Sequence, residues 1–309
     1  MHTRLPRTLL PGVALVAAGL LVLGGCGDDP SPASGDTSPT RGTDRPDRPG
    51  KGDDRPSVAP TSEGGGAATT VPVYFVGDTE RAGPRLYREF QRVDGDPLVA
   101  AAGLLTAGDS LDPDYRTLFP GGAFAAVSYD AGRLVATLAD DGWTTRAPGM
   151  SRSEARVAVQ SLVYTLQGVQ QERAPLVVED AGGSPTTLFG VDTSGGVAAA
   201  PPLDVLSHVS LTSPEEGASV DGGTLEVSGV GNSFEANLGW EVRRGDEVVL
   251  DGYATLEGWM EEKLFPFEAS VDVSGLEPGD YTFWVTTDDP AGGTEGVGAM
   301  TDDRSFTVG

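Results

Sequence analysis

The sequence predicts an α+β protein: a small α/β unit followed by an all-β sandwich, carried behind a long polar tether. Three observations predict it. Residues 71–195 hold two capped amphipathic helix patterns between short apolar runs, residues 206–309 alternate apolar and polar side chains, and residues 26–70 contain almost no large apolar group. A helix buries one stripe at 3.6-residue spacing and a half-buried strand buries every second residue, so the two folded stretches belong to different classes.

Arg4 and Arg7 precede an uncharged run, Leu9 to Gly25, that ends in Leu23-Gly24-Gly25-Cys26. A basic start, an apolar middle and small residues at the cut make residues 1–25 an expected secretory signal peptide. The run is shorter than the ~20 residues that span a bilayer. Leu23-Gly24-Gly25-Cys26 resembles the bacterial lipobox, which implies lipid attachment at Cys26 and a location on the extracytoplasmic face of the cell membrane. Cys26 is the only cysteine, so the folded part has no internal disulfide, thiolate metal site or thiol nucleophile.

Residues 26–70, with Arg45-Pro46-Asp47-Arg48-Pro49 and Gly64-Gly65-Gly66, cannot bury enough surface to offset the entropy of ordering. They read as a disordered spacer with a root-mean-square span of ~35 to 40 Å as a flexible coil. The formal net charge is −25, and residues 206–309 carry 4 basic and 21 acidic groups. Such a field disfavours nucleic acid and anionic headgroups as partners.

In the first unit, Val71 to Val76 is a continuous apolar run of strand length, expected to stop at Gly77-Asp78. Leu86 to Val93 is a second candidate strand. Asp96 as cap and Pro97 in the first turn open a helix with Leu98, Ala101, Ala102 and Leu105 on one face, closed by Gly108. Phe124–Tyr129 and Leu134–Leu138 form a hairpin through Asp130-Ala131-Gly132. Ser151 and Glu154 have capping-box spacing ahead of the stripe Ala155, Ala158, Val159, Leu162 and Leu166, with Gly168 as the expected end. Pro175 to Glu179 returns as a strand. Helices covering one face of a single sheet account for these elements most simply.

Val73-Tyr74-Phe75-Val76, Leu104-Leu105-Thr106-Ala107-Gly108, Leu118-Phe119-Pro120-Gly121-Gly122 and Gln160-Ser161-Leu162-Val163-Tyr164-Thr165-Leu166 resemble, in order, the GerMN domain of sporulation and germination lipoproteins. Members of that family occur in spore formers and in actinobacteria. The resemblance implies a ring-building-motif-like fold over residues 71–195 and a scaffold or binding role without catalysis. Gln160 and Thr165 are its polar members, read first as structural hydrogen bonds. Asp140-Asp141 reads as a solvated loop end.

Residues 196–205 are a short Gly, Ala and Pro connection, which places the two units close together. Beyond it, Phe234, Ala236, Leu238, Trp240 and Val242 share one face, as do Phe265, Phe267, Ala269, Val271 and Val273, and Tyr281, Phe283 and Val285. With Val209–Thr212, Leu225–Ser228, Glu247–Leu250 and Ser305–Val308 this makes about seven strands, expected as two antiparallel sheets packed face to face. Ser213-Pro214, Val227-Ser228-Gly229, Asn232-Ser233-Phe234-Glu235-Ala236 and Pro266-Phe267-Glu268-Ala269-Ser270-Val271 resemble the immunoglobulin-like domain of bacterial spore germination. That resemblance covers nearly all of residues 206–309 and implies adhesion or assembly at the cell surface.

No nucleophile elbow, phosphate loop or zinc-protease motif occurs, and His208 is the one histidine beyond the signal. His208 reads as a packing or interface residue. No catalytic, cofactor-binding or metal-ligating residue is assigned. Asp288-Asp289 with Glu295, and Asp302-Asp303, offer hard oxygen ligands for calcium but lack the spacing of an EF-hand loop, and solvated turn acids are the simpler reading. The expected function is a non-catalytic, lipid-anchored adaptor for another envelope protein. The alternatives are binding of cell-wall polysaccharide on an exposed platform of Trp143, Trp259 and Trp284, and behind it a glycan hydrolase using paired carboxylates. Trp240 is expected in the core.

Overall fold

The structure, a computed structural model, describes residues 68–309 except residue 222. The expected signal peptide, the expected lipid-attachment residue Cys26 and the expected spacer up to residue 67 lie outside the described residues. Strands β1 (Thr69–Thr79) and β2 (Gly83–Val93) form one antiparallel ribbon. Gly77-Asp78 does not stop β1, contrary to expectation. A Cβ on Gly77 would stand 2.6 Å from the Tyr87 ring, so this glycine admits a packed aromatic from the opposite strand. The turn falls later, where Thr79 Oγ1 accepts from the Ala82 amide at 3.0 Å and donates to the Gly83 carbonyl at 2.9 Å.

Helix α1 (Pro97–Ala107) follows its cap signals, with Asp96 Oδ1 accepting from the Leu98 amide at 2.9 Å and Gly108 as C-cap. Strands β3 (Phe124–Asp130) and β4 (Arg133–Leu138) form the expected hairpin. Helix α2 (Arg152–Gln170) carries the complete capping box, the Ser151 amide donating to Glu154 Oε2 at 2.9 Å and the Glu154 amide to Ser151 Oγ at 3.1 Å. Gly168 does not end this helix. A Cβ there would lie 2.7 Å from Pro72 Cγ, so the glycine lets α2 lie against β1, and Gln171 takes the left-handed end with φ 58°.

Strand β5 (Leu176–Glu179) pairs in parallel with β4, giving a β3-β4-β5 sheet, and β6 (Thr187–Leu188) with β7 (Val191–Asp192) closes the unit. The expected single sheet is therefore replaced by separate sheets. The β1–β2 ribbon packs on both helices but hydrogen-bonds to neither strand group beyond it. Phe75, Leu105, Leu134, Leu162, Leu166, Leu176 and Phe189 fill the space between, each essentially inaccessible to solvent. Burying a side chain of this kind contributes about 1.5–3 kcal/mol.

The connection contains a single helical turn, α3 (Pro202–Val205). Then follow β8 (Val209–Ser213), β9 (Ala218–Val220), β10 (Thr224–Gly231), β11 (Asn237–Arg244), β12 (Glu247–Thr255), β13 (Phe265–Asp272), β14 (Gly279–Thr287) and β15 (Thr301–Val308). They form two facing sheets, β13-β10-β8 and β12-β11-β14-β15-β9. The core between them includes Val209, Leu238, Val242, Val273, Phe283 and Val285. The pairing is antiparallel except that β9 joins β15 in parallel. Trp240 is half-buried, stacked on Phe283 at 5.9 Å. Phe234 leaves the expected stripe: residues 234–236 make a short turn with Glu235 and Ala236 at positive φ, and the ring is 43% exposed.

The two folded regions belong to one compact unit, residues 62–309. Leu86 of β2 pairs with Leu206 in an isolated parallel bridge, and the Ser207 amide donates to the Leu86 carbonyl at 2.9 Å. Val76, Leu86, Val157, Tyr164 and Leu206 make a small apolar cluster at the seam. Among the described residues no helix is long and apolar enough to cross a membrane.

Candidate functional site

The most perturbed ionisable groups lie inside the seam. Asp302 and Arg304, alternate residues of β15, meet Asp112 and Tyr115 from the loop after α1. Arg304 pairs with both Asp112 and Asp302, and its two terminal nitrogens reach Tyr115 Oη at 3.2 and 3.1 Å. Asp302 Oδ2 also accepts from the Leu211 amide at 2.6 Å. Glu89 Oε1 holds the Asp112 amide at 2.8 Å. Burial pushes the Asp112 carboxyl up to about 7 against the pull of Arg304, and pushes Asp303 up to about 6. Asp302 is raised by the same cause, and Tyr115 well above its ordinary value. The turn-acid expectation for Asp302 is thus corrected: it is sealed between domains, where one guanidinium faces two carboxylates. Raised carboxyl pKa values mark candidate catalytic acids, but Asp112 and Asp302 face Arg304 and backbone amides rather than a cleft.

Other candidates take structural places. Gln160 Nε2 donates to the Ala198 carbonyl at 3.1 Å and its Oε1 accepts from the Ala200 amide at 2.8 Å, tying α2 to the connection. Thr165 Oγ1 accepts from the Tyr74 amide at 3.0 Å. Asp140 Oδ1 accepts from the Gly142 amide at 2.7 Å, and Asp140 and Asp141 are exposed. His208 Nε2 donates to the Leu203 carbonyl at 3.0 Å, and burial lowers the pKa of the ring. Trp143 is no platform: it is buried among Phe119, Phe124 and Phe189, with ring centroids 5.0 to 6.1 Å away. Trp284 is half-buried beneath the Arg243 guanidinium, 4.5 Å above its ring. Trp259 is half-buried against the sandwich core and lines a surface depression.

That surface lies at one loop end of the sandwich, a shallow depression of about 640 Å³ where the segments after β10, β12 and β14 meet. Its apolar part is Phe234 and Trp259, edge to face at 5.5 Å, with Met260 84% and Val297 36% exposed. Glu261, Glu262, Asp288, Asp289 and Glu295 line it as well. The loops are tied rather than loose. Asn232 Nδ2 donates to the Glu261 and Lys263 carbonyls, both at 2.8 Å, and Ser233 Oγ accepts from the Asp288 amide at 2.8 Å. Asp289 accepts from the Ala291 and Gly293 amides at 3.1 and 2.7 Å. Among the described residues no three His, Cys, Asp or Glu side chains converge as a metal cage. Sequence periodicity missed this face because it assigned Phe234 to the core stripe. The one local signal was Trp259-Met260 standing beside Glu261-Glu262 in a loop.

A second depression, about 480 Å³, runs along the seam beside Tyr74 and Tyr164. Several of its polar groups are engaged, although Arg88 Nε is buried without a hydrogen-bond partner among the described residues. Lys263 pairs with Glu261 at 2.9 Å, Tyr164 Oη donates to the Ala200 carbonyl at 2.7 Å, and Arg88 lies 4.7 Å over the Phe90 ring. The loop-end face, with Phe234, Met260 and Val297 exposed, is the better candidate for a partner.

No curated protein matches the chain. Two solved structures show limited similarity. One is an engineered protein, 18% identical, covering 50% of this chain and 36% of that one with a TM-score of 0.27. The other is a double mutant of Cellulomonas fimi endo-beta-1,4-mannanase, 16% identical, covering 55% of this chain and 38% of that one with a TM-score of 0.24. The chain spans little more than a third of the length of either. Residues 72–181 match the family model described as sporulation and spore germination, and residues 208–294 match the one described as the immunoglobulin-like domain of bacterial spore germination.

Proposed function

We propose that the protein is a non-catalytic adaptor of the cell envelope, attached through lipid on Cys26 to the extracytoplasmic face of the membrane, and that it docks another envelope protein. The observation that carries this reading is the loop-end face: Phe234, Met260 and Val297 leave apolar surface in water beside the half-buried Trp259, within one small area. Contiguous apolar surface rimmed by polar groups is what protein contact sites present. The two germination-type domain matches support an assembly role. Wall-glycan binding is the weaker reading, since burial of Trp143 and the Arg243 cover on Trp284 remove two of its three stacking rings.

The test is crosslinking of the full chain in its native envelope, followed by mass spectrometry, beside Cys26→Ala and Met260→Ser chains. A protein captured with the parent and lost with both variants is the expected result. Capture that survives Met260→Ser, or recovery of wall fragments alone, overturns the reading.

A further inference from the structure

We infer that the loop-end face takes a cationic segment of its partner, one that carries lysine or arginine beside a large apolar side chain; this rests on the docking role proposed above. Five carboxylates line the depression; of the cations beside it, Lys263 pairs with Glu261 at 2.9 Å and the Arg81 side chain lies against Gly293 and Gly298, so acids outnumber bases there. The domain as a whole holds 4 basic against 21 acidic residues, so its long-range field draws cations toward every approach. Field alone does not select a site. At this one the acids surround Met260, Trp259 and Phe234, which can bury an apolar anchor while the rim meets its charges. A guanidinium or ammonium seated over an aromatic face is drawn by the ring quadrupole as well. Interfaces of this kind place aromatic anchors centrally and use rim charges for steering and register.

The loops also hold that anchor ready. Met260 has φ 52°, a backbone region that non-glycine residues seldom occupy, and the Asn232 bonds to Glu261 and Lys263 fix the segment around it. The side chain is consequently held outward before any partner arrives. Preorganisation lowers the ordering cost of binding.

The probe is a fluorescein-labelled nonapeptide alternating lysine with leucine, titrated by anisotropy against the full chain, beside peptides with glutamate or glutamine in place of lysine. Saturable binding of the lysine peptide alone is expected. Met260→Ser with Trp259→Ala should weaken it at least tenfold, and Glu262→Gln with Glu295→Gln should weaken it and flatten its salt dependence. Glu247→Gln with Asp251→Asn, on the edge strand β12, should leave it unchanged. Equal loss from both pairs of neutralisations would reduce the effect to the general field and overturn the proposal, as would indifference to the Met260 and Trp259 changes. Should the envelope crosslink be lost with Met260→Ser while the lysine peptide fails to bind, the adaptor role stands and the cationic partner falls.

Discussion

Tyr115 Oη donates to Asp302 Oδ1 at 2.7 Å, joining the loop after α1 to the last strand of the sandwich. Both groups are buried, and Arg304 reaches each of them. The two domains are therefore joined by a buried polar cluster. Its geometry holds the two domains as one unit.

Replacing Arg304 by Met leaves two buried carboxylates without their cation. Breaking one side of a buried ion pair costs about 3–5 kcal/mol. Urea unfolding of the full chain should show that loss, while Tyr115→Phe should cost about 1–2 kcal/mol through its missing hydrogen bond.

The same cluster sets a pH dependence. The Asp112 carboxyl is raised to about 7, chiefly by burial, so the folded state holds a proton that the unfolded chain releases near its ordinary value of 3.8. Its stabilising contribution is then fully present below about pH 4 and is lost as pH rises toward 7. Melting temperatures measured from pH 4.5 to 7.5 should carry this decline, and Asp112→Asn should reduce its slope. An identical slope in the variant would place the proton elsewhere.

Gly168→Ala tests close packing against helix propensity. In an open helix the change stabilises by roughly 1 kcal/mol. Here the new methyl would stand 2.7 Å from Pro72 Cγ, so the variant should be destabilised by about 1–3 kcal/mol. Pairing it with Pro72→Ala should recover part of the loss, and additive effects in this double-mutant cycle would show the clash to be absent.

Trp143 and Trp259 should separate cleanly. Trp143→Ala empties a buried aromatic cluster and should cost about 3–5 kcal/mol in chemical denaturation. Trp259→Ala, half-buried at the loop-end face, should cost less than Trp143→Ala and act on binding as well.

What the sequence determined by itself is local. Asp96 and the Ser151–Glu154 pair announce their helices because a cap is satisfied by amides two or three residues away. Strand faces such as Phe265, Phe267 and Val271 follow from alternation, which the backbone imposes whatever lies opposite. The domain resemblances rest on the same short patterns. Only the tertiary structure decided why Gly77 and Gly168 are glycines, since Tyr87 and Pro72 crowd them from other elements. It also turned Asp302 from an apparent turn acid into a buried partner of Arg304, Asp112 and Tyr115. Phe234 moved from the core stripe to an exposed face with Met260, where three separated loops meet. Alternation and capping act between near neighbours, whereas packing, desolvation and exposure depend on groups brought together from as far as 214 residues along the chain.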